Sequence, residues 1–188
     1  MRFRPLAPRT LRWRPVEGEG LEHLDLRPVT GGIMASAAVI GERGGVPYGA
    51  RYLILCDESW RVVEFGVSGT DGRGLLMRSP EPGRWLDSQN RPLPAFDGCL
   101  DIDLAATPFT NTLPIRRLGL GPDQGTVELA MVYVPFDSLE PLVDRQRYTA
   151  LRDGELYRYE AADRSFTADL PLDADGLVLD YPGLFRRV

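Results

Sequence analysis

The chain has 188 residues, 43% of them hydrophobic and 26% charged, and its 27 acidic residues outweigh 22 basic ones for a formal net charge of −5. Length and composition suit one globular domain, 1–188, with a sizeable core, and the acidic balance argues against nucleic acid as a partner, since phosphate binding draws on excess positive charge. Gly and Pro, 20 and 16 residues, interrupt regular structure too often for long helices.

Apolar residues recur mostly with period two, in short runs bounded by Gly, Pro, Asp and Asn, the pattern of half-buried strands. Arg9 to Arg14 puts Leu11 and Trp13 on one face, and Leu24 and Leu26 alternate with Asp25 before Pro28 ends the segment. Gly31 and Gly32 open Ile33 to Ile40, whose small side chains suit close backbone approach. After the turn-rich Gly41 to Pro47, Arg51 to Cys56 reads as a buried strand and Arg61 to Val67 as its hairpin partner across Asp57, Glu58 and Ser59. Gly74 to Arg78 and Arg84 to Leu86 follow. Cys99 to Leu104 alternates most sharply, with Leu100, Ile102 and Leu104 opposite Cys99, Asp101 and Asp103. Thr126 to Val134 is another strand. Gln146 to Leu151 and Leu156 to Tyr159 form a hairpin across Asp153-Gly154, and Phe166 to Leu170 and Leu177 to Tyr181 close the series. Helical periodicity is confined to a turn or two near Thr112 to Arg117 and Asp137 to Val143. The pattern predicts an all-β, antiparallel roll or barrel with very little helix, which either fills with side chains or encloses a ligand cavity.

No run of about 18 apolar residues occurs, so no integral membrane helix is expected, and Met1 to Val16 contains no signal-peptide core, so the expected location is cytoplasmic. Cys56 and Cys99 lie in apolar segments and read as buried free thiols. His23 is the single histidine, which leaves a catalytic triad or multi-histidine zinc site without its parts and gives His23 a structural reading. Gly66 to Thr70 lacks the second glycine of a nucleophile elbow, and Ser68 reads as a turn residue. No metal or cofactor is expected.

Asp101 and Asp103, two apart on a strand, project from one face with Cα atoms roughly 6 to 7 Å apart. They are either an acid/base pair of the kind that glycosidases assemble, or the wet face of an amphipathic strand. Arg116 and Arg117 follow, with Thr107, Thr110, Asn111 and Thr112 between, so this segment either holds a sugar or carboxylate head or satisfies itself internally. Aromatics spread through the strands, among them Trp60 and Tyr148, suit core packing or a cavity for an amphiphile.

Several motifs resemble those of a bacterial family known as the "putative glycolipid-binding" proteins: Gly20 to His23, YLILCDESWR from Tyr52 to Arg61, GCLDIDLAATPFTNTLPIRRL from Gly98 to Leu118, QRYT from Gln146, YRYE from Tyr157 and GLVLDYPGLFRR from Gly176. The resemblance implies a single-domain spiral β-roll, similar in shape to the periplasmic lipoprotein carriers, with an internal cavity for a glycolipid-like molecule.

The reading that follows is a β-roll that binds a glycolipid or related amphiphile, its acyl part in an apolar interior and its head near Asp101, Asp103, Asn111, Arg116 and Arg147, with Trp60 and Tyr148 completing the candidate set. A chain of a dozen methylenes offers on the order of 10 kcal/mol before the costs of association. The alternatives are a hydrolase or lyase on a sugar-bearing substrate, with Asp101 and Asp103 as acid and base facing one pocket, and a scaffold with a filled core and an exposed apolar patch.

Overall fold

A computed structural model describes residues 3–188; Met1 and Arg2 lie outside them. The described residues form fourteen strands in two sheets. The larger sheet begins as a meander of seven antiparallel strands: β1 (Arg9–Pro15), β2 (Leu21–Val29), β3 (Gly32–Arg43), β4 (Val46–Asp57), β5 (Val62–Gly69), β6 (Gly74–Glu81) and β7 (Arg84–Leu86). The smaller is built from β8 (Asp101–Leu104), β9 (Thr126–Val134), β10 (Leu142–Arg152), β11 (Leu156–Ala161) and β12 (Thr167–Pro171). Two short C-terminal strands, β13 (Asp180–Tyr181) and β14 (Phe185–Arg187), return to the first sheet, where β14 pairs with β1. The chain is thus the mostly-β roll its alternation predicts.

Local chemistry explains the long β3–β4 hairpin. Arg43 pairs with Val46 across Gly44-Gly45, both at positive φ (59° and 81°), as the tightest two-residue turn requires. At its other end Gly32 is obligatory for space, since a Cβ there would lie 2.0 Å from the Cys56 carbonyl oxygen. Ser68, expected in a turn, lies within β5, and the turn falls one step later, where Gly69 accepts a backbone hydrogen bond from Gly72. The segment Asp137 to Val143 forms no helix; its last residues already belong to β10.

The other expected helix exists. α1 (Thr112–Leu118) carries Pro114 in its first turn, where a missing N–H is tolerated, and ends on Gly119 in the left-handed region (φ 55°). It lies in the connection between β8 and β9, which is why these two strands run parallel, in register from Asp101 with Met131 to Leu104 with Val134. Parallel neighbours need such a crossover; all other named pairs are antiparallel.

Two apolar clusters hold the roll together. The inner face of the larger sheet packs Trp13, Leu24, Ile54, Phe65, Met77 and Trp85 against Ile102, Leu104, Val132 and Val134 of the smaller one. Both buried indoles are satisfied, Trp13 Nε1 donating to the Val178 carbonyl (3.2 Å) and Trp85 Nε1 to that of Cys99 (2.8 Å). The second cluster gathers Tyr148, Tyr157, Tyr159, Leu170 and Tyr181. α1 wedges between the two, with Leu113 in the first and Ile115 in the second. Cys56 and Cys99 are buried and free. No helix among the described residues is long and apolar enough to cross a membrane.

Candidate functional site

The middle of the roll is filled by the first cluster, and open space lies toward the ends of the strands. Two adjoining hollows share Ala105, Tyr133, Leu184 and Phe185 as common walls. One, of about 400 Å³, runs along the ends of β1, β2 and β3, with Leu21, Val39, Tyr48 and Phe136 among its apolar walls. Its neighbour, about 590 Å³, lies over the smaller sheet beside Leu142, Tyr159, Phe166 and Tyr181.

Each hollow has a carboxyl group facing it from the fold. In the first it is Glu22, only 2% exposed. Glu22 shares the inward face of β2 with Leu24 and Leu26 and stands between Trp13 on β1 and Val39 on β3. The Tyr52 hydroxyl donates to its Oε1. The Thr107 hydroxyl lies 3.4 Å from the Tyr52 oxygen and itself accepts from Phe109 N (3.0 Å). Among the described residues no donor reaches Glu22 Oε2 with hydrogen-bond geometry. Burial pushes the Glu22 carboxyl up to about 7, against the stabilising pull of the Tyr52 and Thr107 hydroxyls.

In the second hollow the carboxyl belongs to Asp103. Its Oδ1 accepts from the Thr110 hydroxyl (3.0 Å) and its Oδ2 from Gln146 Nε2 (2.7 Å), which also donates to Asp144 Oδ2 (3.0 Å). Burial raises the Asp103 carboxyl above its ordinary range, the bonds from Gln146 and Thr110 oppose the rise, and the neighbouring Asp144 adds to it. Behind Gln146, the Tyr148 hydroxyl donates to Asn111 Oδ1 (2.9 Å) and lies 3.2 Å from Gln146 Oε1. Asn111 Nδ2 is held in turn by the Pro108 carbonyl (3.2 Å).

Three of the expected site residues, Asp103, Asn111 and Tyr148, therefore belong to one polar network, of which only Asp103 lines a hollow. The others lie apart. Asp101 is fully buried, and Arg117 grips it with two hydrogen bonds (3.0 and 2.5 Å). It lines none of the hollows described, so the two aspartates do not face one pocket as an acid/base pair must. Trp60 and Arg116 meet at a separate hollow of about 530 Å³, the guanidinium 4.5 Å above the indole ring. Trp60 sits there at φ 69°, a strained conformation for a bulky residue, in the turn that Asp57 braces by accepting from Ser59 N and Arg61 N (3.0 and 3.1 Å). Arg116 donates to the carbonyls of Asp175 (2.6 Å) and Arg4 (3.1 Å). Arg147 points to the opposite side of β10 from Gln146 and Tyr148 and pairs with Glu128 (2.9 Å). His23 is half-exposed beside Arg12, whose Nε donates to its Nδ1 (3.1 Å).

The groups that sequence reasoning left out of the site are Glu22 and Gln146, whereas Thr107 belongs to the polar segment it singled out. For Glu22 a signal existed, because its parity with Leu24 and Leu26 turns it inward. For Gln146 there was none short of knowing that β10 lies over Asp103.

A roll plugged in its middle and parted near its strand ends, with carboxyl groups set into the opening, is the class that fold and cleft define. A family described as "Putative glycolipid-binding" matches residues 10–187, and the chain belongs to that family. Among solved structures it is similar to the crystal structure of a DUF1089 family protein from Pseudomonas aeruginosa, at 41% identity and a TM-score of 0.80, over 92% of this chain and 94% of that one. No curated protein matches it.

Proposed function

We propose that the protein binds a glycolipid or related amphiphile in the paired hollows, with the aliphatic part along the walls around Tyr133, Leu184 and Phe185 and the polar head at the carboxyl groups. One observation carries this reading: apolar walls and deep hydrogen-bonding groups share a single cleft, the combination that recognises a molecule of mixed character. Asp103 is the member of the expected set that touches the head, and Asn111 and Tyr148 act through Gln146 by fixing its amide. The membership of the family described as glycolipid-binding supports the same ligand class.

Native mass spectrometry of the protein purified from cells tests the proposal, with a co-purifying amphiphile as the expected result. A second measurement uses Ala105, a wall of both hollows. Ala105→Trp is expected to weaken octyl glucoside binding at least tenfold while the far-ultraviolet circular dichroism of the fold is kept. A protein that is always empty, and that ignores octyl glucoside and fluorescent lipids alike, overturns the reading.

A further inference from the structure

The first hollow holds an unpaired acceptor. Glu22 is buried, its Oε1 is taken by Tyr52, the Thr107 hydroxyl stands close by, and no donor among the described residues meets its Oε2 with hydrogen-bond geometry while the carboxyl lines open space. A carboxyl oxygen withdrawn from water without a partner is costly, and natural folds keep such groups where something else completes them. Once the carboxyl is ionised, what completes Oε2 is a donor, and the charge around it narrows the choice.

The wall of the first hollow carries Glu17, Glu22 and Glu42 against Arg43, and that of the second Asp103, Asp144 and Asp163 against Arg145. Both arginines are engaged by groups outside these walls or by a phenol: Arg43 donates to the Tyr133 hydroxyl (3.1 Å) and lies 3.9 Å from Asp137, and Arg145 lies 3.5 Å from Glu128. The cleft is therefore acidic throughout, which repels a phosphate or carboxylate head and concentrates cations.

Resting on the amphiphile-binding reading above, we infer that the ligand's head bears a protonated amine, which enters the first hollow and donates to Glu22 Oε2. An ammonium supplies both the missing donor and the charge that lets the carboxyl ionise in an apolar setting. Two sources offer this chemistry, an amino-sugar head and a sugar-free long-chain amine. The titratable and charged groups around Glu22 are Tyr52 and Tyr48 from β4, Glu42 and Arg43 from β3, Tyr133 from β9, and Glu17 from the β1–β2 connection. Neither tyrosine of β4 ionises near neutrality, since burial raises both. Glu22 in the free protein titrates at about 7, so amine binding strengthens as pH rises through that value and releases a proton.

The test is calorimetry on the full chain with octylamine, octyl glucosaminide, octyl glucoside and octanoate at pH 6 and pH 8. The expected result is that the amines bind at least tenfold tighter than octyl glucoside at pH 8, that the preference shrinks at pH 6, and that octanoate binds weakest. In Glu22→Gln the preference for amines falls at least tenfold. Should that variant not fold, proton release on octylamine binding, read in buffers of different ionisation enthalpy, decides on the wild type. Tighter binding of octyl glucosaminide than of octylamine supports the inference and assigns the amine to a sugar; the reverse order supports it with a sugar-free amine. Octyl glucoside binding as tightly as the amines, or an amine preference untouched by Glu22→Gln, overturns this inference alone. Failure of every amphiphile overturns both this inference and the reading beneath it.

Discussion

Glu22 stands on a strand whose other inward residues are leucines, and its neighbours across the sheet are Trp13 and Val39. The consequence for stability follows from its proton. The folded carboxyl titrates at about 7 against an ordinary 4.5, so between these pH values the folded state keeps a proton that the unfolded chain has released. Stability from this group is therefore present below pH 4.5 and declines as pH rises toward 7, by an amount on the order of 3 kcal/mol. Glu22→Gln removes the charge while keeping an acceptor for Tyr52. The ligand-free variant is expected to be more stable than wild type at pH 8, on the order of 2 kcal/mol, because the unpaired amide donor offsets part of the gain. At pH 4, where the wild-type carboxyl is protonated and only the amide cost remains, the variant should be the less stable by about 1 kcal/mol. Urea unfolding at both pH values measures the difference, and a variant less stable than wild type at pH 8 contradicts the assigned burial.

At the scale of elements, β8 and α1 show where alternation informs and where it stops. Period two separates Asp101 and Asp103 from Ile102 and Leu104, and the separation is real: the apolar pair enters the first cluster and the acidic pair faces the other way. That other way is not bulk water. α1 brings Arg117 over Asp101, and β10 brings Gln146 over Asp103. A period-two pattern encodes opposite faces but not what covers them, so the sorting of the two aspartates into an ion pair and a cleft group is a tertiary fact. The parallel pairing of β8 with β9 is illegible for the same reason, since it depends on where the crossover through α1 returns. β14 is missed differently: three residues after Pro182 and Gly183 are too few for alternation to register, and pairing with β1 makes them a strand. The meander from β1 to β7, by contrast, is legible because each strand neighbours the next and turn residues mark every reversal.

The Arg117–Asp101 pair ties α1 to β8, with side chains 14% and 1% exposed. Removing one partner from such a pair leaves the other charge stranded. Arg117→Ala is expected to cost about 3 to 5 kcal/mol, whereas the double substitution Asp101→Asn with Arg117→Met, which strands no charge, should recover part of that loss. Denaturant midpoints at constant slope measure both. Equal losses in the single and double variants would mean that the pair's charges contribute nothing beyond packing.

The whole molecule raises the question of whether two sheets with two apolar clusters unfold as one. Physical ties cross between them at several levels. Phe185, on β14 of the larger sheet, packs against both clusters, and Tyr181 on β13 belongs to that sheet by pairing and to the second cluster by contact. The β8 and β9 strands of the smaller sheet supply Ile102, Leu104, Val132 and Val134 to the first cluster. Neither sheet can lose its structure without exposing apolar residues of the other, which is the condition for a cooperative transition. The tryptophans report the first region, and the tyrosines weight the second, although Tyr52 belongs to the first and Tyr48 packs against it. All three tryptophans, Trp13, Trp60 and Trp85, lie in the first cluster, while Tyr148, Tyr157, Tyr159 and Tyr181 lie in the second. Tryptophan fluorescence and the near-ultraviolet tyrosine dichroism should therefore change at the same urea concentration, within about 0.2 M for an ordinary domain slope of roughly 1 to 3 kcal/mol/M. Early loss of the tyrosine signal would make the smaller sheet an independent unit. The cleft, whose walls come from both sheets, would then open before the roll unfolds, so the same experiment with saturating octyl glucoside should draw the two transitions together.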